Sequence, residues 1–169
     1  MGRELIILRH AKSAWDTDAV TDFERPLAKR GLKSAPKMGK WMKKQSMHPD
    51  YIVSSPAKRA KQTVKLATKK MGIPKEQINL DMRIYHAGTD DLLEVLSETP
   101  PEAKRAMIVG HNPGLEFLFH YLVGGFPGGS FDAGAVKTAT VVHLNMPDNW
   151  TDLKEGCAEL NKVQHPREL

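Results

Sequence analysis

A three-layer α/β/α sandwich, with helices on both faces of a mostly parallel central sheet and an antiparallel strand at one edge, is the fold this sequence predicts. Three observations predict it. Short apolar runs alternate with helical patterns, which is the signature of βα units whose strands are covered on both faces. Two of those runs pass directly into a helix-start signal, Ser55-Pro56 and Asn112-Pro113, each pairing an N-cap residue with a proline suited to the first helical position. The last two runs follow one another with no helix between them, which calls for antiparallel pairing.

The elements follow in order. "ELIILRH" (4–10) is the first strand, and its apolar run enters Arg9 and His10 without a break. A helical pattern over 28–46 leads to the strand "YIVSS" (51–55), and a second over 57–71 leads to "INLDMRI" (78–84). A helix over 89–98 precedes the strand "RAMIVGH" (105–111), which a helix over 114–123 follows. "KTATVVHL" (137–144) and "CAELNKV" (157–163) close the sheet. "GGFPGGSFDAG" (124–134) reads as a flexible loop, with Phe126 and Phe131 either rimming a pocket or forming a contact surface, and "QHPREL" is a polar tail. Met38, Met42, Met47 and Met71, with Trp41, read as core filling at helical spacing.

Composition sets outer bounds. A chain of 169 residues that is 40% hydrophobic fits a single domain, 1–169, around one respectable core. No apolar run approaches about 18 residues and no basic segment leads into an apolar one, so the expected place is the cytoplasm with no membrane partner. Cys157 stands alone, which leaves no intramolecular disulfide and no Cys-based zinc site. His48, His120, His143 and His165 share no metal-ligand spacing, so no metal and no cofactor is expected. The net charge of +5 favours anionic partners. The basic residues between Lys29 and Lys75 lie on helical patterns without aromatic interleaving, which points to solvated helix faces rather than a nucleic-acid surface. Oligomeric state is not legible.

The chemistry sits at strand ends. In an open parallel sheet, ligands bind beyond the carboxyl ends of the strands, where helix N-termini present unpaired N–H groups. Arg9 and His10 end one strand, His111 ends another, and Arg59 lies one turn into the helix after a third. Singly, each has an ordinary explanation as an ion pair, a cap or a helix surface. Together they bring two guanidiniums and two imidazoles to one edge of the sheet, a cradle for a dianion such as phosphate.

"RHAKS" (9–13), "SSPAKRAKQT" (54–63) and "GHNP" (110–113) resemble the three signature blocks of the histidine phosphatase, or phosphoglycerate mutase-like, superfamily. "DFERPLAKRG" (22–31) and the closing "PREL" are similar to the SixA-type phosphohistidine phosphatases. The resemblance implies a phosphoglycerate mutase-like fold, with His10 as a nucleophile that forms a transient phosphohistidine. Arg9 and Arg59 would hold the phosphoryl oxygens, and His111 would donate to them. Positive charge around His10 should depress its pKa and keep it able to attack. Ser13 and Asn112 are candidates for an added hydrogen bond to substrate, and Arg25 and Lys12 for the mouth; Asp16 and Asp22 read as loop-capping residues.

The sequence departs from the pattern in one respect. Superfamily members acting on alcohol esters carry a Glu after the middle helix, and "NLDMRIYHAGTDDLLEVL" (79–96) has no obvious counterpart. Asp81, Tyr85 and His86 are the options, with Asp90 and Asp91 behind them. An alkoxide needs a positioned acid, whereas a phosphorylated imidazole leaves once its ring is protonated. The expected substrate is therefore phosphohistidine on a protein, with a small phosphomonoester as the alternative and a non-catalytic phosphate-binding module as the contrasting class.

Overall fold

The computed structural model describes residues 2–125 and 134–169. The loop segment around Phe126 and Phe131 thus lies outside the described residues. Among these residues, six strands form one sheet: β1 (Arg3–Arg9), β2 (Tyr51–Ser54), β3 (Ile78–Leu80), β4 (Arg105–Gly110), β5 (Val141–Met146) and β6 (Glu159–Gln164). Their order is β3-β2-β4-β1-β5-β6, parallel from β3 through β1, with β5 antiparallel to both of its neighbours. The antiparallel ladder expected at the end of the chain is present at that edge. Among the described residues, four α-helices connect the strands: α1 (Lys29–Lys44), α2 (Lys58–Lys70), α3 (Thr89–Ser97) and α4 (Gly114–Val123).

β1 explains the layering. Successive side chains of a strand point to opposite faces, so Leu5 and Ile7 enter one core while Ile6 and Leu8 enter the other. The first core includes Leu92 and Leu96 of α3 with Leu115 and Phe119 of α4. The second includes Met38 and Met42 of α1, Val64 and Ala67 of α2, and also Met47 and Met71. Trp41 packs against that second core, partly buried. A strand covered on both faces has no reason to alternate, which is why "LIIL" is uniformly apolar.

Two strands are displaced from their expected bounds. After Leu80 the Asp81 side chain accepts the Arg83 amide at 2.9 Å and starts a 3-10 turn over Met82–Ile84, ending the strand early. Residues 137–140 form a loop rather than the start of β5. Ala139 takes the left-handed conformation, φ 57°, and its amide donates to the carbonyls of Arg9 and His10. Both helix-start signals also act differently from expectation. α2 begins at Lys58 with Ala57 as its N-cap, and α4 begins at Gly114 with Pro113 as its N-cap. The Ser55 and Asn112 side chains are thereby released for other contacts. Among the described residues, no helix is long and apolar enough to cross a membrane.

Candidate active site

Sheet register performs most of the assembly. Arg9 of β1 lies opposite Gly110 of β4, and the His10 amide donates to the Gly110 carbonyl at 3.0 Å. The next residues out of these two neighbouring strands are His10 and His111, whose ring centroids are 5.2 Å apart. On the other side of β4, Ser54 of β2 lies opposite Val109, and the Ser55 amide continues the ladder to the Val109 carbonyl. The first turn of α2 then carries Arg59 inward, 6% exposed, where its charge acts on both imidazoles. Arg9, His10, Arg59 and His111 come together.

The hydrogen bonds of the two imidazoles set their chemistry. His10 Nδ1 donates to the Ala11 carbonyl at 2.7 Å, so the ring lone pair resides on Nε2. Burial, followed by the charges of Arg59, Arg9 and Arg25, lowers the His10 pKa to about 4. Charge was the expected cause; desolvation is the larger one. His111 Nε2 pairs with Ser55 Oγ at 2.7 Å, and that oxygen accepts the Ala57 amide. A Ser55 oxygen that already accepts the Ala57 amide can donate its own proton to Nε2, an arrangement that leaves the proton of a neutral His111 on Nδ1. Burial first, then the neighbouring His10 and Arg59, bring the His111 pKa to about 3.

The two arginines are fastened by different means. Arg9 Nη1 donates to the Val136 carbonyl at 3.1 Å, and Asn112 Nδ2 donates to the same oxygen at 2.7 Å. The Val136 amide in turn donates to the buried carboxylate of Glu116, whose charge opposes the effect of burial on Arg9. Arg59 reaches a surface turn, donating to the Asp22 carbonyl at 2.8 Å and to Asp22 Oδ2 at 3.0 Å. Among the described residues, Arg9 Nε, Arg59 Nε and His111 Nδ1 are buried without a hydrogen-bond partner.

The remaining predicted residues divide. Ser13 is buried and its Oγ accepts Arg25 Nη1 at 3.0 Å; Arg25 also bonds Asp22 and stacks on Trp15, 3.6 Å from its ring centroid. These two therefore meet at the rim. The Asn112 amide is turned to Val136, where it braces the loop beside Arg9. The Lys12 side chain is exposed, and its carbonyl accepts the Ala28 amide. Asp22 is a correction. Far from merely capping a loop, its carboxylate accepts Tyr85 Oη at 2.7 Å as well as Arg59 and Arg25, and these contacts, Tyr85 foremost, hold its pKa below the usual carboxylate range.

The options for a general acid also separate. Asp81 is paired with Arg83 at 2.7 Å, which holds it ionised, and Asp91 caps the Gly88 amide. Tyr85 lies beside the centre, its ring 5.5 Å from that of His111, and the His86 ring packs on Tyr85 at a tilt of 47°, centroids 4.0 Å apart. Burial and the Asp22 carboxylate raise the Tyr85 pKa, so its phenol remains protonated. Gly110 permits this approach: a Cβ there would stand 2.8 Å from Ile84 in the turn that precedes Tyr85. Sequence reasoning missed Thr63 and Glu116. Thr63 Oγ1 accepts the Ala11 amide at 2.9 Å and donates to the Arg59 carbonyl at 2.7 Å, tying the loop after His10 to α2. Its signal was a hydroxyl one helical turn beyond Arg59. That of Glu116 was a lone acid in the apolar "GLEFLFHYLV".

Comparison with known proteins accords with this geometry. Residues 5–88 match the family model of the histidine phosphatase superfamily, branch 1. An uncharacterized protein of Mycobacterium tuberculosis is 30% identical over 164 residues, which is 95% of this chain and 100% of that protein. The solved structure of a candidate phosphohistidine phosphatase SixA from Nakamurella multipartitia is 30% identical with a TM-score of 0.84, covering 97% of this chain and 96% of that one. The protein histidine phosphatase SixA complexed with tungstate shares the fold, with a TM-score of 0.76 at 20% identity and 98% of each chain covered.

Proposed function

This chain belongs to the histidine phosphatase superfamily, and from that premise we propose that it is a metal-independent phosphatase that acts through His10 on phosphohistidine carried by a protein. One observation carries the reading. The His10 Nδ1 proton is spent on the Ala11 carbonyl, so Nε2 bears a lone pair in a ring whose pKa of about 4 keeps it unprotonated near neutrality. In the first step Nε2 forms a bond to phosphorus as the bond from phosphorus to the substrate imidazole breaks, and the departing ring takes a proton. Water then attacks phosphorus, the Nε2–P bond breaks, and inorganic phosphate leaves.

The surroundings suit that sequence. Arg9 and Arg59 hold the phosphoryl oxygens, and a neutral His111 donates from Nδ1 to the charge that develops on them. The N–H groups of those three residues that have no partner among the described residues are the donors this reading assigns to the phosphoryl oxygens. The carboxyl at the mouth is Asp22, held ionised, and the proton-bearing group beside it is the weakly acidic phenol of Tyr85. A leaving group that departs as a neutral imidazole tolerates so weak an acid, whereas an alkoxide does not.

The expected activity is chelator-insensitive hydrolysis of an activated aryl phosphate, inhibited by vanadate and abolished by His10→Ala, which removes the nucleophile. Activity that survives the substitution, or that a chelator removes, would reject the mechanism. Substrate class is read separately, by offering phosphohistidine peptides and a panel of sugar phosphates to one preparation. A higher kcat/KM on the sugar phosphates would replace the protein substrate with a small phosphomonoester.

A further inference from the structure

The first half of α1, the loop at 137–138 and the C-terminal turn line an open cavity of about 470 Å3. Arg30, Lys33 and Lys37 line it from α1, Lys137 from the loop, and His165 and Arg167 from the chain end. The five Lys and Arg residues are exposed, and among the described residues none has an ion-pair partner. This is unlike the structural guanidiniums of the protein. Arg83 is shared among Asp81, Glu94 and Glu98, and Arg105 is forked onto Glu4. One acid stands beside the lining, Glu168, 3.8 Å from His165.

Both walls of this groove are fastened to the segment that carries the nucleophile. On one side the Ala139 amide bonds the carbonyls of Arg9 and His10, and the Arg9 amide bonds the Thr140 carbonyl. On the other, the Ala28 amide bonds the Lys12 carbonyl, and Gly31 packs so closely on Lys12 that a Cβ would lie 2.2 Å from its oxygen. The two walls are thus tied through backbone to Arg9, His10 and Lys12, the segment that carries the nucleophile.

We propose that this groove is a docking site for an acidic segment of the phosphorylated protein substrate, an inference that rests on the phosphatase reading and names how its substrate is selected. Charge complementarity supplies the argument. Five unpaired cations on flexible stems, drawn from three chain segments, accept carboxylates without demanding one fixed geometry, and their field steers an anionic partner towards the mouth. Peptide fits better than nucleic acid because the lining holds no Phe, Tyr or Trp on which a base would stack.

The test uses two phosphohistidine peptides that differ only in their flanks, one rich in glutamate and one in glycine and serine. Flanks of about 12 residues reach roughly 40 Å, enough to span the adjoining surfaces. At low salt the enzyme should favour the acidic peptide by about tenfold in kcat/KM, and the preference should shrink as salt rises. K33E/K37E should abolish the preference while hydrolysis of the neutral peptide and of an aryl phosphate is unchanged. Equal rates on the two peptides, a preference that survives K33E/K37E, or a parallel loss on the aryl phosphate would each overturn the proposal and leave the phosphatase reading standing. Stronger inhibition by an oligonucleotide than by a glutamate peptide of equal charge would overturn it in favour of nucleic acid. An enzyme inactive on every phosphate compound would instead sink the phosphatase reading. Binding of a fluorescent glutamate peptide, weakened by K33E/K37E or indifferent to it, would then still decide for or against the groove.

Discussion

The floor and the rim of the active site are built by different physics. On the floor, Arg9, His10 and His111 follow from strand register, and their partners are backbone carbonyls or buried side chains: Ala11, Val136, Ser55 and Glu116. At the rim, Arg59, Arg25 and Tyr85 converge on one surface carboxylate, Asp22, whose side chain is 43% exposed. The floor is part of the folded core, so disturbing it should cost stability and activity together. A rim held by side-chain pairing in contact with water contributes little to stability, so disturbing it should cost activity alone. Each experiment below sharpens or breaks that division.

Acid should produce the largest effect on the floor. The unfolded chain protonates His10 near pH 6.5, while the folded protein resists until about pH 4. His111 behaves alike, with a folded pKa of about 3. Because the unfolded state binds more protons across this window, stability is at its plateau above pH 6.5 and is lost as the pH falls through 6.5 towards 4. For His10 alone the displacement amounts to about 3 kcal/mol. Urea unfolding across that range should show the decline, and His10→Gln should flatten part of it. A midpoint constant between pH 7 and pH 4 would show that the imidazoles are not sealed in the floor.

Thr63→Val comes next. It keeps the shape of a fully buried side chain but leaves the Ala11 amide without its acceptor and the Arg59 carbonyl without its donor. The expected loss is about 1–3 kcal/mol in urea unfolding at unchanged m, with a parallel fall in kcat. Thr63→Ser, which retains the hydroxyl, should recover most of both. Loss of activity with full stability would move Thr63 from the floor to the rim.

The same division explains what the sequence made legible. A buried parallel strand announces itself by an unbroken apolar run, so β1 and β4 could be read, and with them the polar residues at their ends. Neighbouring strands running in one direction then bring His10 and His111 together. Side-chain pairing across long sequence separations leaves no such trace: nothing in "DFERP" marks Asp22 as the acceptor for Arg59, 37 residues on, and for Tyr85, 63 residues on. Ser55 and Asn112 misled for a related reason. Both carry the pattern of a helix cap, and the preference for capping is worth about 1 kcal/mol, little enough for a hydrogen bond to His111 or Val136 to claim the side chain. The early end of β3 at Asp81 and the loop at 137–140 are likewise decided by contacts made only in the folded chain.

Asp22→Asn is the smallest expected effect and the most direct probe of the rim. The carboxylate accepts Arg25 at one oxygen, and Arg59 and Tyr85 at the other. A carboxamide offers one acceptor oxygen and adds donors where donors already crowd, so Arg59 retains its bond to the Asp22 carbonyl but loses the second anchor that fixes its fork. Removing a negative charge beside the cradle should not weaken binding of a phosphate dianion, so KM should hold or fall. The loss should appear in kcat, by about tenfold, because a guanidinium free to rotate is no longer preorganised for the charge of the transition state. Thermal unfolding should scarcely move, since the Asp22 carboxylate is half exposed and the buried Arg59 keeps its bond to the Asp22 carbonyl, which leaves a contribution of about 1 kcal/mol or less. The opposite pattern, with stability reduced and kcat intact, would make Asp22 a structural clasp, and the distinction between floor and rim would fail at the residue that defines it.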